Sequence, residues 1–221
     1  MLIRDHETLL FIGDSITDAG RARPVGEGRG LGNGYPLFVD ALLTNFYPEK
    51  RIRVLNTGVS GDTVRRLATR WQQDVLDHAP DWVSVMIGIN DVWRQFDHPL
   101  DPSCHVYPDE FRATLERLVA DTIPRVRGMV LMSPFFIEPR RDDAMRAQVD
   151  DYREIVAETA RRHGALFADT QSYFDAILAH LPSEYLAGDR VHPGHLGHMT
   201  AARAFLDTVG FDWSRAAGGS K

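Results

Sequence analysis

Apolar positions along this chain follow two alternating patterns, short unbroken runs and spaced stripes. Thr8-Leu9-Leu10-Phe11-Ile12 is a continuous run of strand length, the pattern of a parallel strand covered on both faces. Arg51 to Asn56, Asp81 to Ile87, Met129 to Met132 and Ala165 to Ala168 predict four further strands. Between the runs, apolar residues recur at helical spacing. Tyr35 to Phe46 carries Leu37, Phe38, Ala41 and Leu42 on one face. A second helix follows Thr63 to about His78 and is closed by Pro80; a third ends near Pro124. Asp142 to His163, stopped by Gly164, about Ser172 to Leu181, and His195 to about Val209 complete the set. Two stretches read as loops: Gly20 to Gly34, with six glycines, and Arg94 to Pro108.

Strand-helix alternation with short connections predicts an α/β fold, a three-layer α/β/α sandwich around a five-stranded parallel sheet. The flavodoxin-like strand order 2-1-3-4-5 suits five strands and sets the first between the second and third. The domain is expected to span residues 1–215, with 216–221 as a flexible tail. Ligands in such folds bind at the carboxyl edge of the sheet, at the switch point. Three residues meet there: Ser15 leaving the first strand, Gly61 after the second, and Asn90 after the third. Adjacent strands lie about 4.8 Å apart, so the three can converge.

Composition narrows the partners. A formal net charge of −6 and the lack of any basic run exclude a nucleic-acid partner. No apolar run reaches membrane-spanning length, so no membrane partner is expected. The single cysteine, Cys104, leaves no intrachain disulfide, which suits a cytoplasmic location. The Gly20–Gly34 loop fits no phosphate-binding fingerprint. It reads as a cleft wall, a mobile surface or a subunit contact in a homo-oligomer.

Gly13-Asp14-Ser15 is ordinary turn chemistry taken alone. It gains meaning from Asp189-Arg190-Val191-His192. A carboxylate three residues before a histidine can fold back and accept the Nδ1 proton, which leaves Nε2 to take a proton from serine. The predicted catalytic set is therefore Ser15, His192 and Asp189. The N–H groups of Ser15 and Gly61 and the side-chain amide of Asn90 are the candidate oxyanion donors; the competing role for Asn90 is a loop residue satisfying turn hydrogen bonds. Asp14, Trp93 and Arg94 are candidates for substrate contact, with core packing the alternative for Trp93. His192, His195 and His198 recur every three residues near Asp189, but no His-Glu-x-x-His is present and no metal or other cofactor is expected. His195 and His198 are expected to begin the last helix and pack there.

Four blocks, Gly13-Asp14-Ser15, Gly58-Val59-Ser60-Gly61-Asp62, Gly88-Ile89-Asn90-Asp91 and Asp189-Arg190-Val191-His192, resemble in order and spacing those of the SGNH hydrolases, also called GDSL esterases and lipases. Ile16 stands where the family's short name has leucine. Gly20 to Pro24, Ile87 through Asn90 to Gln95, and Asp189 through His198 to Met199 are similar to stretches of bacterial acetylxylan and acetyl-xylooligosaccharide esterases. The resemblance implies the SGNH fold and removal of O-acetyl groups from a small acetylated saccharide through an acyl-enzyme, without a cofactor. Two other classes are weighed against it. A thioesterase or lysophospholipase on the same machinery would need a long apolar acyl groove. A non-catalytic carbohydrate-binding protein would have no use for the Ser-His-Asp set.

Overall fold

The computed structural model describes residues 1–215; the expected tail, 216–221, lies outside the described residues. At its centre is β1 (Thr8–Gly13), hydrogen-bonded in parallel on one side to β3 (Arg53–Asn56) and on the other to β4 (Trp82–Met86). Beyond β4 come β5 (Gly128–Met132) and β6 (Leu166–Ala168), also parallel. The order is that expected, 2-1-3-4-5 among the parallel strands, but the sheet has a sixth member. β2 (Gly26–Glu27) lies antiparallel on the outer edge of β3, giving β2-β3-β1-β4-β5-β6. The Gly20–Gly34 stretch is therefore not wholly irregular: it extends the sheet. Arg53 clamps the edge by donating twice to Glu27, at 2.6 and 2.8 Å.

The helices are α1 (Ser15–Asp18), α2 (Tyr35–Phe46), α3 (Val64–Asp74), α4 (Ile89–Asp97), α5 (Pro108–Thr122), α6 (Ala144–His163), α7 (Thr170–Leu178) and α8 (His195–Thr208). α8 packs on α2 and α7, and α3, α5 and α6 form the other layer with α4 against α6. With both faces covered, Leu9, Leu10, Phe11 and Ile12 of β1 have no exposed surface, which is why their sequence is a run rather than an alternation. The loop expected from Arg94 starts later, because α4 continues to Asp97. Ile89, Val92, Trp93 and Phe96 supply its helical apolar spacing.

Gly13 is the hinge between sheet and site. A Cβ there would lie 2.3 Å from the Met86 carbonyl oxygen and 2.4 Å from Thr17 Oγ1. Only glycine lets β1 turn so close to β4 and α1. Gly13→Ala should cost about 3 kcal/mol in urea unfolding, the upper part of the range for overpacking; a loss below about 0.5 kcal/mol would mean that the turn relaxes without strain.

Candidate active site

The turn after Gly13 presents Ser15 as the first residue of α1, partly exposed, while Ile16, Thr17 and Asp18 turn inward. Ser15 Oγ lies 2.9 Å from His192 Nε2. On the far side of the ring, Nδ1 lies 2.6 Å from Asp189 Oδ2. A carboxylate can only accept, so Nδ1 carries the proton and Nε2 faces the serine as an acceptor. The Asp189 Oδ1 accepts the backbone N–H of Val191 at 3.0 Å and of His192 at 2.8 Å. Partial burial opposes the charge of Asp189. The His192 ring and these two N–H groups outweigh it and hold the carboxyl below its ordinary range.

This tight turn needs Arg190 at φ +63°, in the left-handed region, a conformation that bulky residues adopt only when their surroundings hold them there. Three contacts do so. The Arg190 carbonyl accepts the Ile137 N–H at 2.9 Å, its guanidinium donates to Glu138 Oε2 at 2.6 Å, and it lies 4.9 Å over the Phe136 ring. Glu138 is anchored in turn, its carbonyl accepting at 2.7 Å from Arg146. Arg146 is 1% exposed and paired with Asp150 and Asp175.

The expected oxyanion donors come from three separate segments. Gly61 sits at φ +80°, which suits glycine. Among the described residues neither its N–H nor that of Ser15 donates within the chain. Asn90 lies in the first turn of α4, not in a loop, and is 2% exposed. Its Nδ2 donates to the Asp62 carbonyl at 3.0 Å, which sets the amide beside Gly61 and leaves its second N–H for a ligand. The Gly58–Asp62 loop is pinned from below. Val59 N–H donates to Gly13 O at 3.0 Å, Asn56 Oδ1 accepts Gly58 N–H at 2.9 Å, and Arg21 Nε donates to Gly58 O at 2.7 Å. Asp18 accepts from the Ser60 N–H at 2.9 Å and from Arg23 at 2.6 Å.

Of the candidates for substrate contact, Trp93 and Arg94 lie beside the site. The Trp93 ring meets His192 edge to face, centroids 5.7 Å apart. Arg94 stacks over Trp93 at 5.0 Å and is paired with Asp97. Asp14 is different. It is 1% exposed, and its Oδ1 caps α1 by accepting the Ile16 N–H at 3.0 Å. Its carboxyl faces inward, so the structure corrects its assignment to substrate contact. Asp91, unexposed, caps α3 by accepting the Val64 N–H at 2.9 Å. The second oxygen of each aspartate has no hydrogen-bond partner, and burial pushes their pKa values up, to about 7 for Asp14 and about 8 for Asp91.

Sequence reasoning missed the supporting residues, Arg21, Asn56, Arg70, Glu138 and Arg146. Arg70 carried one readable signal: it stands two helical turns beyond Asp62, beside the buried stripe Val64, Leu67 and Trp71.

The sequence model of the GDSL-like Lipase/Acylhydrolase family matches residues 11–199. The chain belongs to this family. It is 54% identical over 218 residues to an acetylxylan esterase of Geobacillus stearothermophilus, covering 98% of this chain and all of that one. The crystal structure of that esterase superposes with a TM-score of 0.96. Catalytic mutants of the same esterase, with a serine, a histidine or an aspartate replaced by alanine, superpose equally well. An α/β hydrolase from the metagenome of Lake Arreo, Spain, is 49% identical over 96% of this chain and 98% of its own, with a TM-score of 0.94.

His195 and His198 both stand in the first turn of α8. Among the described residues, no three His, Cys, Asp or Glu side chains group as a metal site would need. His198 is 8% exposed, and its Nδ1 has no partner. Burial, with the nearby His195 and His192, depresses its pKa to about 4. The unfolded chain, near 6.5, binds the proton first, so stability is full above 6.5 and falls as pH drops toward 4. This group alone should remove about 2 kcal/mol between pH 8 and pH 5. Urea unfolding at both pH values should give a smaller loss for His198→Gln than for the wild type by that amount; equal losses would refute the depressed pKa.

Proposed function

We propose that the protein is a serine esterase that removes O-acetyl groups from short acetylated xylo-oligosaccharides. The observation that carries this reading is the hydrogen-bonded chain Ser15–His192–Asp189 in a protein 54% identical to an acetylxylan esterase. The serine, histidine and aspartate replaced in that relative's catalytic mutants are the same three residue types.

Ser15 Oγ attacks the acetyl carbonyl as His192 Nε2 takes its proton. Asp189 keeps the ring oriented and stabilises the imidazolium without taking the proton itself. The carbonyl oxygen, now negative, is met by the N–H groups of Ser15 and Gly61 and by the free N–H of Asn90. As the intermediate collapses, His192 returns its proton to the departing sugar oxygen, leaving acetate esterified to Ser15. Water, deprotonated by His192, then attacks that ester; acetate leaves and Ser15 recovers its proton. No atom or electron is left over, so the cycle needs no cofactor. Trp93 and Arg94 line the rim on which the sugar rests. The single cysteine suits a cytoplasmic site of action, which fractionation of the native cell would test.

The deciding assay is acetate release from acetylated xylo-oligosaccharides, set against aryl esters from acetyl to octanoyl. The acetyl compounds should be preferred, and a preference for octanoyl would reject the reading. Ser15→Ala should lose at least about a thousandfold in kcat while melting normally. Asn90→Ala should lose about a hundredfold in kcat with little change in KM, because its bond strengthens only as the oxyanion forms. Normal turnover with a sharply lowered melting point would make Asn90 a structural residue instead.

A further inference from the structure

Beside His192 runs a groove of about 330 Å³ with α4 as one wall, the start of α6 as the other and Phe136 and Arg190 completing the lining. Its volume is at the lower end of small-molecule sites. It adjoins the site through two of its lining residues. Trp93, on the α4 wall, meets the His192 ring edge to face, and Arg190 belongs to the same turn as Asp189 and His192. Phe96, 41% exposed, is a large apolar side chain standing open on that wall.

The polar groups of the groove are already held. Asp97 is tied by Arg94 and His98, Asp143 accepts the N–H groups of Met145 and Arg146, each at 3.0 Å, and Arg190 is tied by Glu138. Little freedom is therefore lost when a ligand hydroxyl joins them. An aromatic wall with fixed polar groups beside it suits a pyranose, whose ring faces present C–H groups and whose rim carries hydroxyls.

Chemistry decides which part of the substrate lies here. The acetyl oxygen must face Gly61 and Asn90, whereas the departing sugar oxygen must receive the proton held on His192 Nε2. The alcohol side of the ester therefore lies toward His192, which Trp93 of the groove wall contacts. We infer that this groove is a subsite for the sugar unit adjoining the acetylated one, so that the enzyme reads at least two pyranose rings. The inference rests on the acetyl-saccharide reading given above and adds chain length as a determinant of rate.

Two variants test it: Phe96→Ala, which removes a wall, and Ala144→Trp, which fills the groove from the exposed start of α6. For each, the kcat/KM for acetate release from acetylated xylobiose is divided by that from acetylated xylose. The wild type should favour the disaccharide about tenfold, and both variants should fall toward parity. Variants with the wild-type ratio would overturn the inference, as would a wild type that makes no distinction. Should the variants instead keep that ratio and lose turnover of a hexanoyl ester relative to an acetyl ester, the occupant is an acyl chain and the inference fails. Calorimetry with unacetylated xylotriose separates this proposal from the one beneath it. Binding by the wild type that both variants abolish would uphold the groove even if no acetylated sugar were hydrolysed, a result that would sink only the substrate reading. Absence of binding together with no disaccharide preference would reject the groove. Thermal melts of both variants identify any loss caused by unfolding, and Phe96→Ala, at a surface position, decides if Ala144→Trp does not fold.

Discussion

The guanidinium of Arg70 joins the two halves of the site. From α3 it donates to Gly13 O at 3.0 Å, to Thr57 O at 2.6 Å, and to the carboxylates of Asp62 at 2.6 Å and Asp74 at 2.7 Å. Gly13 ends the strand that delivers the serine, and Thr57 and Asp62 bracket the loop that delivers Gly61. One planar cation thus ties the segment carrying Ser15 to the loop carrying Gly61. The bonds are charge-assisted and directional, which makes arginine the apt residue and lysine a poor substitute. Asp62 is 1% exposed. Burial raises its pKa against the pull of Arg70 and Arg66, and breaking such a buried pair typically costs about 3–5 kcal/mol.

Other ionisable groups under the site make stability depend on pH. Asp14 and Asp91 each cap a helix with one oxygen and leave the other without a partner. Because their folded pKa values are raised, to about 7 and about 8, the stability they contribute is complete below 3.8 and lost as pH climbs through those values. His198 acts in the opposite sense, on the acid side. The two effects therefore oppose each other across the mildly acidic range. The caps that aim Ser15 and place the segment before α3 rest on these same carboxyls, so the site is built at the expense of the layer beneath it.

Much of this was legible in the sequence, for reasons that differ residue by residue. Among the five parallel strands β1 announces itself most clearly, because both of its faces are covered and its apolar run is unbroken. β2 is silent: two residues, Gly26 and Glu27, pair through the backbone with Asn56 and Leu55 and carry no side-chain period. Ser15, Gly61 and Asn90 could be grouped because the order of strands dictates which loops share an edge, and Asp189 could be joined to His192 because they stand three residues apart. Arg70, Glu138 and Arg146 could not, since a charged residue on a helix normally faces water and only the folded chain tells which ones turn inward. Asp14 misled for the same reason: a polar residue beside a nucleophile looks like a surface contact, but the cap it makes turns it under the chain. The helical placement of Asn90 was written in the spacing of Ile89, Val92, Trp93 and Phe96, behind a glycine motif that reads as a turn.

His192 and Asp189 occupy a single four-residue turn, inside which one Asp189 oxygen accepts the His192 backbone N–H and the other accepts the ring Nδ1–H. They can be displaced only together. Of the links in the relay, the one between Asp189 and His192 is rigid by construction, and only the gap between Ser15 and His192 spans two segments of chain. The Ser15–His192–Asp189 geometry thus depends on one approach between segments, that of one turn to one serine. Glu138 and Phe136, gripping Arg190 from behind, are the springs that set its rest position.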